Sequence, residues 1–223
     1  MIALLFNIIA FIIAITVHEF AHAYVSDRLG DPTARLMGRL TLNPKHHIDT
    51  LGTIIIPLFL ALSGSNFIIG WAKPVPFDPY NLRNPRRDSA LISLAGPASN
   101  LIVAFACSLV LQAIFHFRLP VVSQSFLGLT TYVLSLLLNP VIIINVVLAI
   151  FNLIPIHPLD GFKIVGGILP HEYAKQWYEL ERYGMIFLIF MIFPLFGTSP
   201  INNLISPVIN ALLNILLPAV PFI

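Results

Sequence analysis

The chain alternates long apolar runs with short polar stretches. Residues 2–26 are almost wholly apolar and long enough for a spanning helix, which needs about 20 residues. Residues 89–117 and 126–154 repeat that pattern, and 183–196 and 201–217 form two closing runs joined by Gly197-Thr198-Ser199-Pro200. The run 51–70 is interrupted by Pro57 and by the turn-forming Ser63-Gly64-Ser65-Asn66. In 89–117, Gly96, Asn100, Ala104 and Ser108 recur every four residues, a small-residue stripe suited to close helix packing. Pro140 interrupts the third run and is expected to bend it. Polar stretches fall at 27–50, 71–88 and 161–182. Gly38 to Asn43 alternates and ends at Pro44, which predicts a short strand. The prolines at 74, 76, 79 and 85 favour extended backbone in the second loop. The fold class this predicts is an all-α polytopic membrane protein. It has about five to six transmembrane helices and a re-entrant or short β-hairpin segment between the first spanning helix and the next. The domain reading is one membrane-embedded unit over residues 1–223, with a core at about 1–165 and two closing helices at about 180–220.

Composition sharpens this. Of the 223 residues, 57% are hydrophobic and 10% charged, against about 45–50% and about 25% in a soluble domain. The net charge of +2 is too small to suggest a nucleic-acid partner. One cysteine, Cys107, excludes an internal disulfide and a thiolate metal cluster, and its apolar surroundings read as core packing. The first run lacks a basic start or a small-residue cleavage site, so it reads as a retained helix.

Within that first run stands His18-Glu19-Phe20-Ala21-His22, an H-E-x-x-H pattern. Residues four apart share a helix face, so His18 and His22 can hold one metal, and Glu19 beside them can act as a general base. Polar and ionisable groups in a membrane helix are costly and read as functional. A catalytic zinc usually takes three protein ligands. The acidic residue embedded in another apolar region is Asp160, after the proline-broken stretch Asn152 to Leu159. Irregular backbone at membrane depth is tolerated where it is buried in protein or lines a wet cavity. His46 and His47, adjacent in a loop, read as interfacial hydrogen-bonders, and Asn100 as an interhelical one.

The shared ion constrains topology. His22 lies near the end of the first span and Asp160 just past the end of 126–154, so an even number of crossings must separate them. Spans 89–117 and 126–154 supply two, so 51–70 is expected to dip in and return. The polar stretches 27–50 and 71–88, with four basic residues each, and 161–182, with Lys163, Lys175 and Arg182, then share one side, and Arg118 stands alone on the other. Lys and Arg favour the cytoplasm, which places the N-terminus outside and the site towards the cytoplasmic face.

Together, H-E-F-A-H, Gly96-Pro97-Ala98-Ser99-Asn100, Gly70-Trp71-Ala72-Lys73-Pro74-Val75-Pro76 and Asn152-Leu153-Ile154-Pro155-Ile156-His157-Pro158-Leu159-Asp160-Gly161 resemble the site-2 protease family of intramembrane metalloproteases. The resemblance spans residues 18–161. It implies one Zn2+ per chain held by His18, His22 and Asp160, Glu19 as base, and Asn152 contacting the substrate strand or the oxyanion. It also implies a multi-pass protein of a prokaryotic cytoplasmic membrane that cuts single-span membrane proteins or peptides in the bilayer, as in regulated intramembrane proteolysis. His157 departs from the proline common there, which raises the question whether it approaches the metal. The PDZ and CBS modules of many relatives have no counterpart, so a regulatory partner is not identified. Two rival readings are a metal-ion transporter using the same ligands and a non-catalytic scaffold. A transporter needs no base beside its ligands, and the far halves of these helices offer little beyond Asn7 and Gln112 to continue a polar path.

Overall fold

The structure is a computed structural model, and it describes residues 2–56, 59, 70–117, 126–193 and 199–218. Three long helices pack against one another: α1 (Ile2–Leu29), α3 (Pro85–His116) and α4 (Phe126–Asn152). Between the first two lie the short α2 (Thr33–Leu36), a 3-10 turn at Pro44–His46, a π-helical turn at Thr50–Ile55 and a 3-10 turn at Pro79–Asn81. After α4 come α5 (Asp160–Ile168), α6 (His171–Glu179), α7 (Glu181–Ile192) and α8 (Pro200–Leu216).

The three long helices are each long and apolar enough to cross a membrane, whereas α8, at 17 residues, is shorter and α7 has only 12. At 1.5 Å per residue α7 reaches about 18 Å, short of a hydrocarbon core of about 30 Å. The expected count of five to six spans is thus met by three helices of spanning length among the described residues. The chain is an integral membrane protein, and its outward faces are apolar: Ile8, Ile102, Phe105 and Leu109 are all exposed.

The inner faces carry small and polar residues. Gly96, Asn100, Ala104 and Ser108, the predicted stripe, are all buried along α3. Asn100 donates to the Ala14 carbonyl of α1 at 3.0 Å and to Asn145 Oδ1 of α4 at 2.7 Å, which ties the three spans together at one level. Farther along, Ala104, Leu111, Ile142 and Val146 form an apolar core with Leu216 of α8, and Cys107 packs against it as expected. A second core joins Ile154, Ile156 and Leu159 to α7 and α8 through Leu188, Ile192, Ile201 and Ile205. This second core braces the irregular stretch that carries Asp160.

α3 begins a turn before the predicted residue 89. Pro85 occupies the first turn, where its missing N–H costs nothing, and Asp88 accepts from the Asn84 amide at 2.8 Å. Residues 38–43 do not form the predicted strand. Gly38 takes φ +67°, Thr41 donates back to the Arg39 carbonyl, and the Asn43 side chain caps the following 3-10 turn. The local bonds bend the segment, and no strand occurs among the described residues. Most of the expected re-entrant segment, 57–58 and 60–69, lies outside the described residues. Its two ends meet: Trp71 N donates to the Gly52 carbonyl at 3.1 Å, and Thr53 Oγ1 donates to the Trp71 carbonyl at 2.7 Å. Residues 70–78 then run without helix or strand, and Asp78 at their end is extended.

Candidate metal centre

α1 presents His18, Glu19 and His22 on its inner side, and α3 comes close enough there to fix both rings. Asn100 has already spent its amide N–H groups on Ala14 and Asn145, so its Oδ1 accepts, and His18 Nδ1 donates to it at 2.6 Å. The Ile92 carbonyl accepts from His22 Nδ1 at 2.7 Å. Each ring thus carries its proton on Nδ1 and turns an Nε2 lone pair to the interior, the arrangement by which an outer partner sets a ligand's tautomer.

Both lone pairs point at one carboxylate oxygen. Asp160 Oδ2 stands 3.1 Å from His18 Nε2 and 3.3 Å from His22 Nε2. The chain reaches this position because α4 ends at Asn152 and Pro155 and Pro158 prevent the helix from continuing. Short bonds from Ile156 N to the Ile154 carbonyl and from Leu159 N to the Ile156 carbonyl fold the stretch tightly. Asp160 then opens α5. Gly161 is required there: a Cβ would lie 2.3–2.4 Å from the Leu153 and Ile154 carbonyl oxygens.

The three atoms, two imidazole nitrogens and a carboxylate oxygen, lie within 4.8 Å of one another. All three are acceptors, and Asp160 Oδ2 is buried with no donor. A buried acceptor without a donor is expensive, and three facing one point need a cation between them. The donor set and spacing fit zinc: two ligand atoms about 2 Å from a tetrahedral ion stand about 3.3 Å apart. The space is kept open by Gly96, where a Cβ would come within 2.5 Å of His22 Nε2 and 2.6 Å of His18 Nε2.

Glu19 is buried beside this point, and its Oε2 accepts from the Val75 amide at 2.9 Å. The 70–78 segment thus reaches the base through its backbone.

The family model for peptidase family M50 matches residues 6–195. The chain belongs to peptidase family M50. This is the site-2 protease family that the motifs resemble, and the matched range contains the whole site. Among relatives of this M50 protein, one named "Putative zinc metalloprotease YwhC", from Bacillus subtilis, is 36% identical over 204 residues, 92% of this chain and 85% of its own length. Two named "Putative zinc metalloprotease Rip2" follow. The one from Mycobacterium tuberculosis is 28% identical over 82% of this chain, and the one from Mycolicibacterium smegmatis 29% identical over 76%. The matches cover 64% and 62% of those two proteins, so this M50 chain spans less than two thirds of their length. No solved structure matches the chain.

Asn152 and His157 make contacts outside the ligand group. Asn152, at the last residue of α4, donates its side-chain amide to the Leu148 carbonyl one turn back at 3.0 Å. His157 Nδ1 lies 3.6 Å from Glu181 Oε1 and is outside the metal-ligand group. His47 is buried and its Nε2 donates to the Thr41 carbonyl at 2.7 Å, a hydrogen-bonding role as predicted. Asn100 does more than the interhelical bonding predicted for it, because the same amide also holds His18. Ile92 and Asn145 escaped the sequence reading, and Gly96 and Val75 entered it only through packing and motif, without their roles at the centre. Only Asn145, a buried amide inside a run of mean apolar character, carried a signal of its own.

Proposed function

We propose that this M50 chain is a zinc endopeptidase that cuts membrane-protein substrates within or next to a transmembrane segment, as in regulated intramembrane proteolysis. The observation that carries the reading is the convergence of His18 Nε2, His22 Nε2 and Asp160 Oδ2, three acceptors without a shared proton, next to a buried Glu19. His18, His22 and Asp160 hold one zinc per chain in this reading. Zinc in that place supplies Lewis acidity and makes water a stronger acid.

The protein's own groups do the rest. The Val75 amide holds one Glu19 oxygen and leaves the other free. That oxygen takes a proton from the attacking water as the water oxygen joins the scissile carbonyl carbon. As the C–N bond breaks, Glu19 passes the proton to the leaving nitrogen. The imidazole N–H bonds to Asn100 and Ile92 keep both rings in register throughout. The 70–78 segment lies beside the base, where an unwound, extended substrate can run along it. Asn152 remains a candidate to steady that strand.

The topology follows the same reading. Residues 52 and 53 bond to residue 71, which supports a 51–70 segment that enters and returns on one side. The basic loops then share the cytoplasmic side with the site, in a prokaryotic cytoplasmic membrane. Residues up to about 165 act as the catalytic core, and the helices at about 180–220 close it. Single-span proteins are the substrates, and nucleic acid is not a partner.

The test uses purified protein and a single-span reporter peptide. Glu19→Gln is expected to keep zinc at wild-type stoichiometry and to lose cleavage by about a hundredfold or more, the lower end of what a positioned base contributes. Cleavage by Glu19→Gln at the wild-type rate, or a wild-type protein that carries no zinc, refutes the proposal.

A further inference from the structure

A second cavity, of about 580 Å³, opens beside the site. Its walls are Val75 to Phe77 of the 70–78 segment, Arg86 and Ser89 at the start of α3, Lys163 of α5 and Tyr178 of α6. Val75 belongs to both places, because its amide holds Glu19 and its side chain lines this cavity. A group lodged here lies against the residue whose amide holds the base.

Two cations face this space with no carboxylate at ion-pair distance among the described residues, although Asp160, Glu181 and Glu19 act on Lys163 from farther off. Lys163 Nζ sits 4.6 Å from the centre of the Phe77 ring. Arg86 has a buried guanidinium nitrogen, Nη1, with no hydrogen-bond partner. Among the described residues neither forms an ion pair. The Ser89 hydroxyl donates to the Pro85 carbonyl, and its neutral oxygen carries no charge to balance either cation. A cation withdrawn from water and left unpaired is costly, so two of them at one cavity call for an anion from outside the chain. The remaining walls, Pro76, Phe77, Pro79 and Tyr178, are largely apolar and suit the methylene stem of a side chain.

We infer that this cavity receives an acidic side chain of the peptide substrate, with Lys163 and Arg86 as the residues that select it. The inference rests on the peptidase reading, because only a peptide lying along 70–78 brings a carboxylate to this point. The preference is for Glu or Asp a short distance from the scissile bond, on the side of the Val75–Phe77 wall. A neutral residue there leaves both cations unpaired.

The experiment separates recognition from cleavage. Single-span peptides carrying one Glu walked through the juxtamembrane positions, and the matching Gln peptides, are titrated against the full-length Glu19→Gln protein in neutral detergent. At one or two positions the Glu peptide is expected to bind about tenfold tighter than its Gln partner, the worth of a charge-assisted hydrogen bond. Lys163→Met and Arg86→Met each reduce that preference and leave binding of the Gln peptide unchanged, whereas Lys163→Arg retains it. Retained zinc content shows that each variant is folded. Equal binding of Glu and Gln peptides at every position overturns the inference, as does a preference that survives loss of both cations. Saturation of the site by phosphatidylglycerol, with loss of peptide discrimination, overturns it in favour of a lipid headgroup. Cleavage of the Gln peptides by the Glu19-intact protein is scored separately, so failure of the peptidase reading is seen on its own.

Discussion

Two aspartates sit in opposite chemical surroundings. Asp31, just after α1, is fully buried and is ringed by donors: the Ser26 and Thr33 hydroxyls, the Thr33 and Asp78 amides and the Asn81 side-chain amide. It ties the end of the first span to the 78–81 turn that leads into α3. Asp160 faces two imidazole lone pairs, and its Oδ2 has no donor at all. The same carboxylate is a structural knot where the protein supplies protons, and a binding site where the protein withholds them. The count of donors around a buried acid thus separates a fold-holding residue from a ligand more sharply than burial does.

Four measurements break or sharpen that contrast. The largest effect belongs to Asp160→Asn, which places an N–H donor or a neutral oxygen where the anion stood. Zinc content is expected to fall to background and cleavage to vanish, with the helical circular-dichroism signal kept. Full zinc content in this variant removes Asp160 from the ligand set. Asp31→Ala is expected to do the reverse. It leaves several donors unpaired and costs about 3 kcal/mol or more of stability, read as a drop in thermal midpoint, while the folded fraction still carries zinc. A variant that melts with the wild type contradicts the knot.

Asn100→Ala lies between the two, since it frees the His18 ring and unties α1 from α4. Zinc affinity is expected to weaken by about 10–100-fold, the usual consequence of losing a group that orients a ligand. An unchanged affinity means that the ring is held by packing alone.

The smallest effect is titrimetric. Burial pushes the Asp31 carboxyl upwards, but the bonds from Thr33, Asn81 and the Asp78 amide outweigh it and hold the pKa at about 2. The folded value is below the unfolded one, so this stabilisation is complete above about pH 4 and is lost as pH falls towards about pH 2. The amount is about 2 kcal/mol at about 1.4 kcal/mol per unit. Acid melts of wild type and Asp31→Asn should converge through that window, and parallel curves would show that the carboxylate is not depressed.

The spans were legible because apolar runs of spanning length have few other uses. The stripe on α3 was legible for a related reason: Gly96, Asn100, Ala104 and Ser108 repeat at helix spacing and all turn inward. The strand at 38–43 was misread because alternation alone does not supply a neighbouring strand, and the Gly38 and Thr41 bends used up the backbone bonds locally. Among the described residues three helices have spanning length, fewer than the five to six expected, and the short apolar α7 packs Leu188 and Ile192 into a core. Gly96 was read as a packing residue, and only the approach of both Nε2 atoms shows that it also keeps the ligand space clear.

From the chain alone came the helix that pairs two imidazoles with a carboxylate, and the single embedded acid available to complete them. Both are local facts, set by four-residue spacing and by the scarcity of charge in apolar runs. Folding decided which nitrogen of each ring faces inward, which backbone amide holds the base, and that Lys163 and Arg86 share a cavity. Those choices depend on atoms brought together from residues tens of positions apart, where sequence spacing carries no direction.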